Sequence, residues 1–180
     1  MALPCAPIPR RGRRANDLPR RVRMCVACAA ALIASAAPAD PPGVRITGLS
    51  DVPFGTISNF ASDSIRSQSV CIYAKGSGDG YRVTAIGSGS GGAFGLSSGG
   101  NTLPYEVQWS DTTGQTSGSL LLANQPLAGF HTGEGPGAKE DCSKGPPTTA
   151  SLIIILRSAA LGAAISGTYA GTLTLLVAPD

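Results

Sequence analysis

Charge is scarce in this sequence, at 14% of 180 residues, and no long charged helical stretch occurs. A helical bundle needs polar outer faces of that kind, so the scarcity argues against one. Histidine is scarcer still, with His131 the only one in the chain. Any Ser-His-Asp hydrolase would have to use it, yet it lies in a Gly/Pro-rich stretch and no G-x-S-x-G elbow occurs anywhere. An enzyme is therefore not expected. A metal site built from Cys142 with Asp141 or Glu140 would lack a second Cys or His at zinc spacing, so neither metal nor cofactor is expected. No apolar run is long enough to cross a bilayer.

What the N-terminal part does contain is a basic run followed by apolar residues. Arg10, Arg11, Arg13, Arg14, Arg20, Arg21 and Arg23 precede the apolar stretch from Cys25 to Ala37, and Ala37-Pro38-Ala39 offers an A-x-A-like cleavage site. Residues 1–39 therefore read as a signal or leader segment, and residues 40–180 as one exported domain with a mature start near Asp40. Cys28 stands at the front of the apolar stretch, the wrong place for a lipoprotein signal. Removing the leader changes the charge balance, because residues 40–180 hold seven basic against ten acidic residues. Those basic residues, Arg45, Arg66, Lys75, Arg82, Lys139, Lys144 and Arg157, are scattered singly, so no nucleic-acid partner is expected. Cys5, Cys25 and Cys28 leave with the leader. Cys71 and Cys142 remain as an even pair in an oxidising compartment, where one disulfide is the simplest reading.

Twenty-four glycines and abundant Ser and Thr suit short strands joined by turns, so an all-β sandwich is expected. "VRITGLSDVPFGTI" (44–57) reads as extended, with Val52, Phe54 and Ile57 as its buried set and Pro53 marking an edge or a switch between sheets. "SQSVCIYAKG" and "GYRVTAIG" read as a hairpin pair with Val70, Ile72, Tyr81, Val83 and Ala85 inward. "LPYEVQWSD" alternates Leu103, Tyr105, Val107 and Trp109 against Glu106 and Gln108, a strand with one buried face. "GSLLLANQPLAG" reads as a strand and then a turn, "HTGEGPGAKEDCSKGPP" as a long loop, "ASLIIILRS" as a buried strand and "AALGAAISG" as a connector with a short helical turn. In "GTYAGTLTLLVAPD" Tyr169, Gly171, Leu173, Leu175 and Val177 share one face, with Thr172, Thr174 and Ala178 on the other. Seven or eight strands in this length fit an immunoglobulin-like sandwich.

Gly87, Gly89 and Gly92 match G-x-G-x-x-G after a strand, but "AFGLSSGGN" behind them cannot open the helix that a dinucleotide site needs. A loop is expected there. Trp109, between Cys71 and Cys142, is read as core packing, since both spacings differ from those of antibody-type domains.

"VPFGTI", "SVCIYA" leading into "GYRVTA", "LPYEVQW" and the terminal "GTYAGTLTLLVAPD", in that order over residues 44–180, resemble the spore coat protein U type family, the pilin-like subunits of archaic chaperone-usher pili. The resemblance implies an immunoglobulin-like domain lacking its last strand. It also implies an apolar groove beside the C-terminal strand, filled first by a periplasmic chaperone and then by a neighbouring pilus subunit delivered through an outer-membrane usher. Carried onto this chain, Tyr169, Leu173, Leu175 and Val177 would line the groove on one side and Val52 and Phe54 on the other. Such a subunit would pass through the periplasm to the cell surface and serve attachment or biofilm formation. Cleavage after Ala39 would leave only "DPPG" before Val44, so Val44 to Leu49 reads either as a short donor strand or as the first strand of the domain. The alternative is a self-contained secreted or periplasmic sandwich in which that segment pairs with the C-terminal strand and Tyr73, Tyr81, Tyr105 or Trp109 binds carbohydrate.

Overall fold

The computed structural model describes residues 43–75, 79–132, 142 and 148–180. Of two compact units, Met1–Pro38 and Ala39–Asp180, all described residues belong to the second. The expected leader, its cleavage site and most of the "HTGEGPGAKEDCSKGPP" loop lie outside them.

The described strands are β1 (Gly43–Thr47), β2 (Ser64–Lys75), β3 (Gly80–Gly87), β4 (Gly95–Ser98), β5 (Asn101–Pro104), β6 (Glu106–Ser110), β7 (Ser119–Leu121), β8 (Leu127–His131), β9 (Ala150–Leu156) and β10 (Leu173–Pro179). One short helix, α1 (Ser158–Ala163), stands in the expected connector. A five-stranded sheet runs β1-β2-β9-β6-β7, a three-stranded sheet runs β10-β3-β8, and β4 and β5 form a separate ribbon. Every ladder in them is antiparallel. The expectation of an all-β, immunoglobulin-like sandwich holds.

Two-residue periodicity decides which side chains close the sandwich. Val70 and Ile72 of β2, Val107 and Trp109 of β6, and Leu152 of β9 face Tyr81, Val83 and Ala85 of β3 across one apolar core. The Trp109 indole N–H donates to the Tyr81 hydroxyl at 3.0 Å, an edge-to-face contact that joins the two sheets at their centre. Burial pushes the Tyr81 phenol well above its ordinary value. Cys71 and Cys142 are bridged, with Cα atoms 6.1 Å apart, so Cys142 has no thiolate to offer a metal. Beside the bridge, the Thr149 hydroxyl accepts from the Ile72 N–H at 2.9 Å and donates to the Ile72 carbonyl at 3.2 Å. The side chain thus stands in for a ladder bond where β9 has not yet begun.

Three strand expectations need correction. β2 and β3 do not pair as a hairpin. β2 pairs with β1 and β9, and β3 belongs to the other sheet, although the inward residues are those expected. "LPYEVQWSD" is two strands, broken at Tyr105, whose N–H donates to the Phe94 carbonyl at 3.1 Å. "LAGFH", read as turn and loop, is β8, bent where Gly129 takes a φ of +88°. The glycine-rich loop after β3 is a loop as expected. It folds back through a 3₁₀ turn at Ser90–Gly92, and a Cβ at Gly87 would stand 2.2 Å from the Ala93 carbonyl oxygen.

Candidate functional site

One side of the sandwich is left unzipped. Among the described residues β10 is hydrogen-bonded only to β3, and β1 only to β2. The two strands lie against each other without sharing a ladder. β10 therefore presents an edge whose backbone N–H and C=O groups belong to no ladder.

β10 forms because Leu173 to Pro179 alternate against β3 in unbroken register, Leu173 opposite Gly87 through Pro179 opposite Tyr81. Leu173, Leu175 and Val177 point toward the core and are only half-buried, while Leu176 on the opposite face is 54% exposed. On the other side of the opening, Val44 and Ile46 of β1 and then Phe54 and Ile57 are likewise packed on the core and still half-open to solvent. A fully zipped sandwich buries such residues, whereas here they remain open to solvent on one side.

The segment that carries Phe54 is unusual. β1 stops at Gly48, which takes a φ of +81°, and the chain turns again at Gly55 with a φ of +70°, conformations a β-branched or bulky residue adopts only under strain. Among the described residues, no backbone–backbone hydrogen bond holds residues 48–62. They run along the stretch of β2 that β1 leaves unpaired, held by side-chain bonds. The Gln68 amide donates to the Ser50 hydroxyl, and the Arg66 guanidinium donates to the Pro53 carbonyl at 3.3 Å and the Phe54 carbonyl at 3.0 Å. The same guanidinium lies 5.5 Å from the Phe54 ring centroid.

Of the residues expected to line the groove, Phe54, Tyr169, Leu173, Leu175 and Val177 are half-buried against the core. Val52 is half-buried but is not among the residues packed on the core. Tyr169 lies before the start of β10, where Ala170 exchanges backbone bonds with Ser97 of β4, and its hydroxyl donates to the Ile165 carbonyl at 2.8 Å. Arg66 is the residue sequence reasoning missed. A lone arginine among scattered charges carries no pattern, and its partners are backbone carbonyls.

Elsewhere the polar clusters serve strand ends. Arg157, just after β9, pairs with Asp63 at 2.8 Å and with Glu106 at 2.7 Å, tying the start of β2 to the start of β6. The Ser158 N–H and then Arg157 hold the Asp63 carboxyl below its ordinary value, and the Arg157 bond does the same for Glu106. His131 lies exposed at the end of β8, its Nδ1 3.1 Å from Asp79 Oδ1. Among the described residues no group of three or more His, Cys, Asp or Glu side chains is placed to hold a metal ion, and no helix is long and apolar enough to cross a membrane.

Two features of the self-contained alternative are corrected. β1 pairs with β2 and not with β10, so Val44 to Thr47 is the first described strand of the domain but does not zip the opening. Tyr81, Tyr105 and Trp109 are buried in the core and present no face to a carbohydrate, while Tyr73 is half-buried.

No protein-family model matches the sequence, and no curated protein does. Solved structures do match. A chain of a chaperone–tip adhesin complex of CFA/I fimbriae biogenesis is 15% identical, with a TM-score of 0.48 over 76% of this chain and 41% of that one. A chain of the CsuC–CsuE chaperone–tip adhesion subunit pre-assembly complex, from the archaic chaperone-usher Csu pili of Acinetobacter baumannii, is 20% identical, with a TM-score of 0.39 over 76% of this chain and 39% of that one. This chain thus spans about two fifths of the length of each. The free side of the sandwich, by contrast, belongs to this chain's own strands.

Proposed function

We propose that this chain is an exported subunit of a chaperone-usher surface fibre of the spore coat protein U type, serving attachment or biofilm formation. Its work is mechanical. A periplasmic chaperone lends a strand to the opening beside β10, an outer-membrane usher receives the complex, and a neighbouring subunit's strand replaces the chaperone's. Strand addition supplies main-chain hydrogen bonds along β10, and apolar side chains at a two-residue repeat settle between Leu173, Leu175 and Val177 and the half-buried residues opposite. Such a subunit uses no cofactor and no catalytic residue.

The observation that carries this reading is the coincidence of an unpaired β10 edge with a half-buried apolar stripe that reaches into the core. An open edge of this kind promotes aggregation, which gives a dedicated chaperone a physical purpose. The test is affinity capture of the tagged wild-type chain from the periplasm of its native host. A stoichiometric complex with a chaperone is expected. A wild type that purifies as a stable, partnerless monomer overturns the proposal and favours the self-contained sandwich, a reading supported by the packing of β1 against β10.

A further inference from the structure

β10 is a strand along its whole side of the opening, whereas the other side is a strand only as far as Thr47, where β1 ends. Residues 48–62 have no backbone ladder, yet they present Phe54 and Ile57 to the core. Something must hold a chain with free carbonyls at a fixed distance from β2.

We infer that Arg66 is the positioning residue of the accepting groove. It fixes the Phe54 wall by donating to two successive carbonyls, Pro53 and Phe54, while its planar guanidinium covers the Phe54 ring. Three features make this assignment specific. A guanidinium presents several donors in a fixed plane, so it can serve two neighbouring carbonyls at once, which an ammonium does less well. Arg66 sits on β2 opposite Ile154 of β9, so its backbone is set by a ladder and its side chain projects from a fixed point. Gly48 and Gly55, both at positive φ, bracket the wall and give it two places to turn if that grip is lost. The groove therefore has one wall made by hydrogen-bonded pairing and another that, past the end of β1, is held by one side chain, with the Gln68–Ser50 bond beside it.

This inference rests on the strand-capture proposal, and its test separates the two. The full-length exported protein is prepared as wild type, Arg66→Ala and Arg66→Lys. Chymotryptic cleavage after Phe54 and Phe60 is timed on the free protein, circular dichroism gives the melting temperature, and the yield of periplasmic chaperone complex is measured. In Arg66→Ala, cleavage after Phe54 and Phe60 should rise about tenfold, because proteolysis follows the population of the released segment. The melting temperature should hardly move, and the yield of complex should fall by a similar factor. Arg66→Lys, which keeps the charge but loses the fork, should lie between the two. Cleavage in Arg66→Ala equal to wild type overturns the inference, as does raised cleavage with an undiminished yield of complex. If Arg66→Ala fails to fold, Arg66→Lys decides by the same two readings. A wild type that forms no complex removes the strand-capture proposal and the positioning role together, and is told apart because it is seen before any substitution.

Discussion

β10 is held by a seven-residue ladder to β3, from Leu173 opposite Gly87 to Pro179 opposite Tyr81, whereas residues 48–62 on the other side of the opening have no backbone–backbone hydrogen bond among the described residues. Both stretches carry half-buried apolar side chains onto the same core. The difference lies in how the backbone is ordered. Each ladder residue has its φ and ψ fixed by a bond that its neighbours reinforce, while the Phe54 wall relies on the reach of Arg66 and Gln68. Under the strand-capture proposal, such an opening would keep the register of an incoming strand on β10 and adjust its width at Phe54.

The comparison can be tested from the yielding side first. Cys71 stands opposite Thr47 in the β1–β2 ladder, so the bridge to Cys142 supports the strand from which that wall hangs. Replacing both cysteines with serine should lower stability by about 4 kcal/mol, the chain-entropy value for a loop of this length. Chemical denaturation of the exported wild type and double mutant measures it. A loss below about 1 kcal/mol, well under the 2–5 kcal/mol usual for a native bridge, would mean that the ladders alone hold β2 in place.

On the firm side, Leu175→Asp puts a carboxylate into the half-buried stripe and should cost about 3 kcal/mol, together with the chaperone complex. Thr174→Asp, one residue away on the exposed face, should change stability by less than about 0.5 kcal/mol and leave the complex intact. Equal behaviour of the two variants in periplasmic capture would remove the distinction between the faces of β10.

The smallest effect separates the walls from the strand ends. Asp63 and Glu106 have folded-state values below their ordinary 3.8 and 4.5, held there chiefly by the Ser158 N–H and by Arg157 respectively. Depressed carboxyl values contribute stability that is complete above the unfolded values and fades as pH falls through the folded ones. Stability should therefore be flat from pH 7 to about 5 and decline below about 4, by an amount screened at these exposed positions. Arg157→Gln should flatten that decline, and Arg66→Gln, which touches neither carboxylate, should not. Acid titration of thermal unfolding for the three proteins decides it.

How much of this was legible in the sequence differs residue by residue. Leu173, Leu175 and Val177 were readable because alternation survives wherever one face of a strand packs and the other does not. The same rule found Val70, Ile72, Tyr81 and Val83, but alternation specifies a face and not a partner, so two strands of different sheets looked like a hairpin. It also ran unbroken through Tyr105, because burial continues while the chain passes from β5 to β6. β8 escaped because Ala128 and Gly129 interrupt its apolar pattern, and its pairing with β3 shifts register between Tyr81 and Val83. Arg66 escaped for another reason. A side chain that bonds carbonyls twelve and thirteen residues away leaves no period to find.

The bond between Trp109 and Tyr81 has a consequence for observing the molecule. Trp109 is the only tryptophan in the chain, fully buried, and its indole N–H is satisfied by a phenol from the opposite sheet. Its fluorescence is therefore a single-site reporter of whether the two sheets are docked: blue-shifted when the sandwich is closed, red-shifted when water reaches the ring. Because it sits on β6 and not on either wall of the opening, the emission should stay nearly constant while a strand is gained or exchanged. Core collapse and strand exchange can then be timed separately in one cuvette, the first by tryptophan emission and the second by a dye placed on the incoming strand.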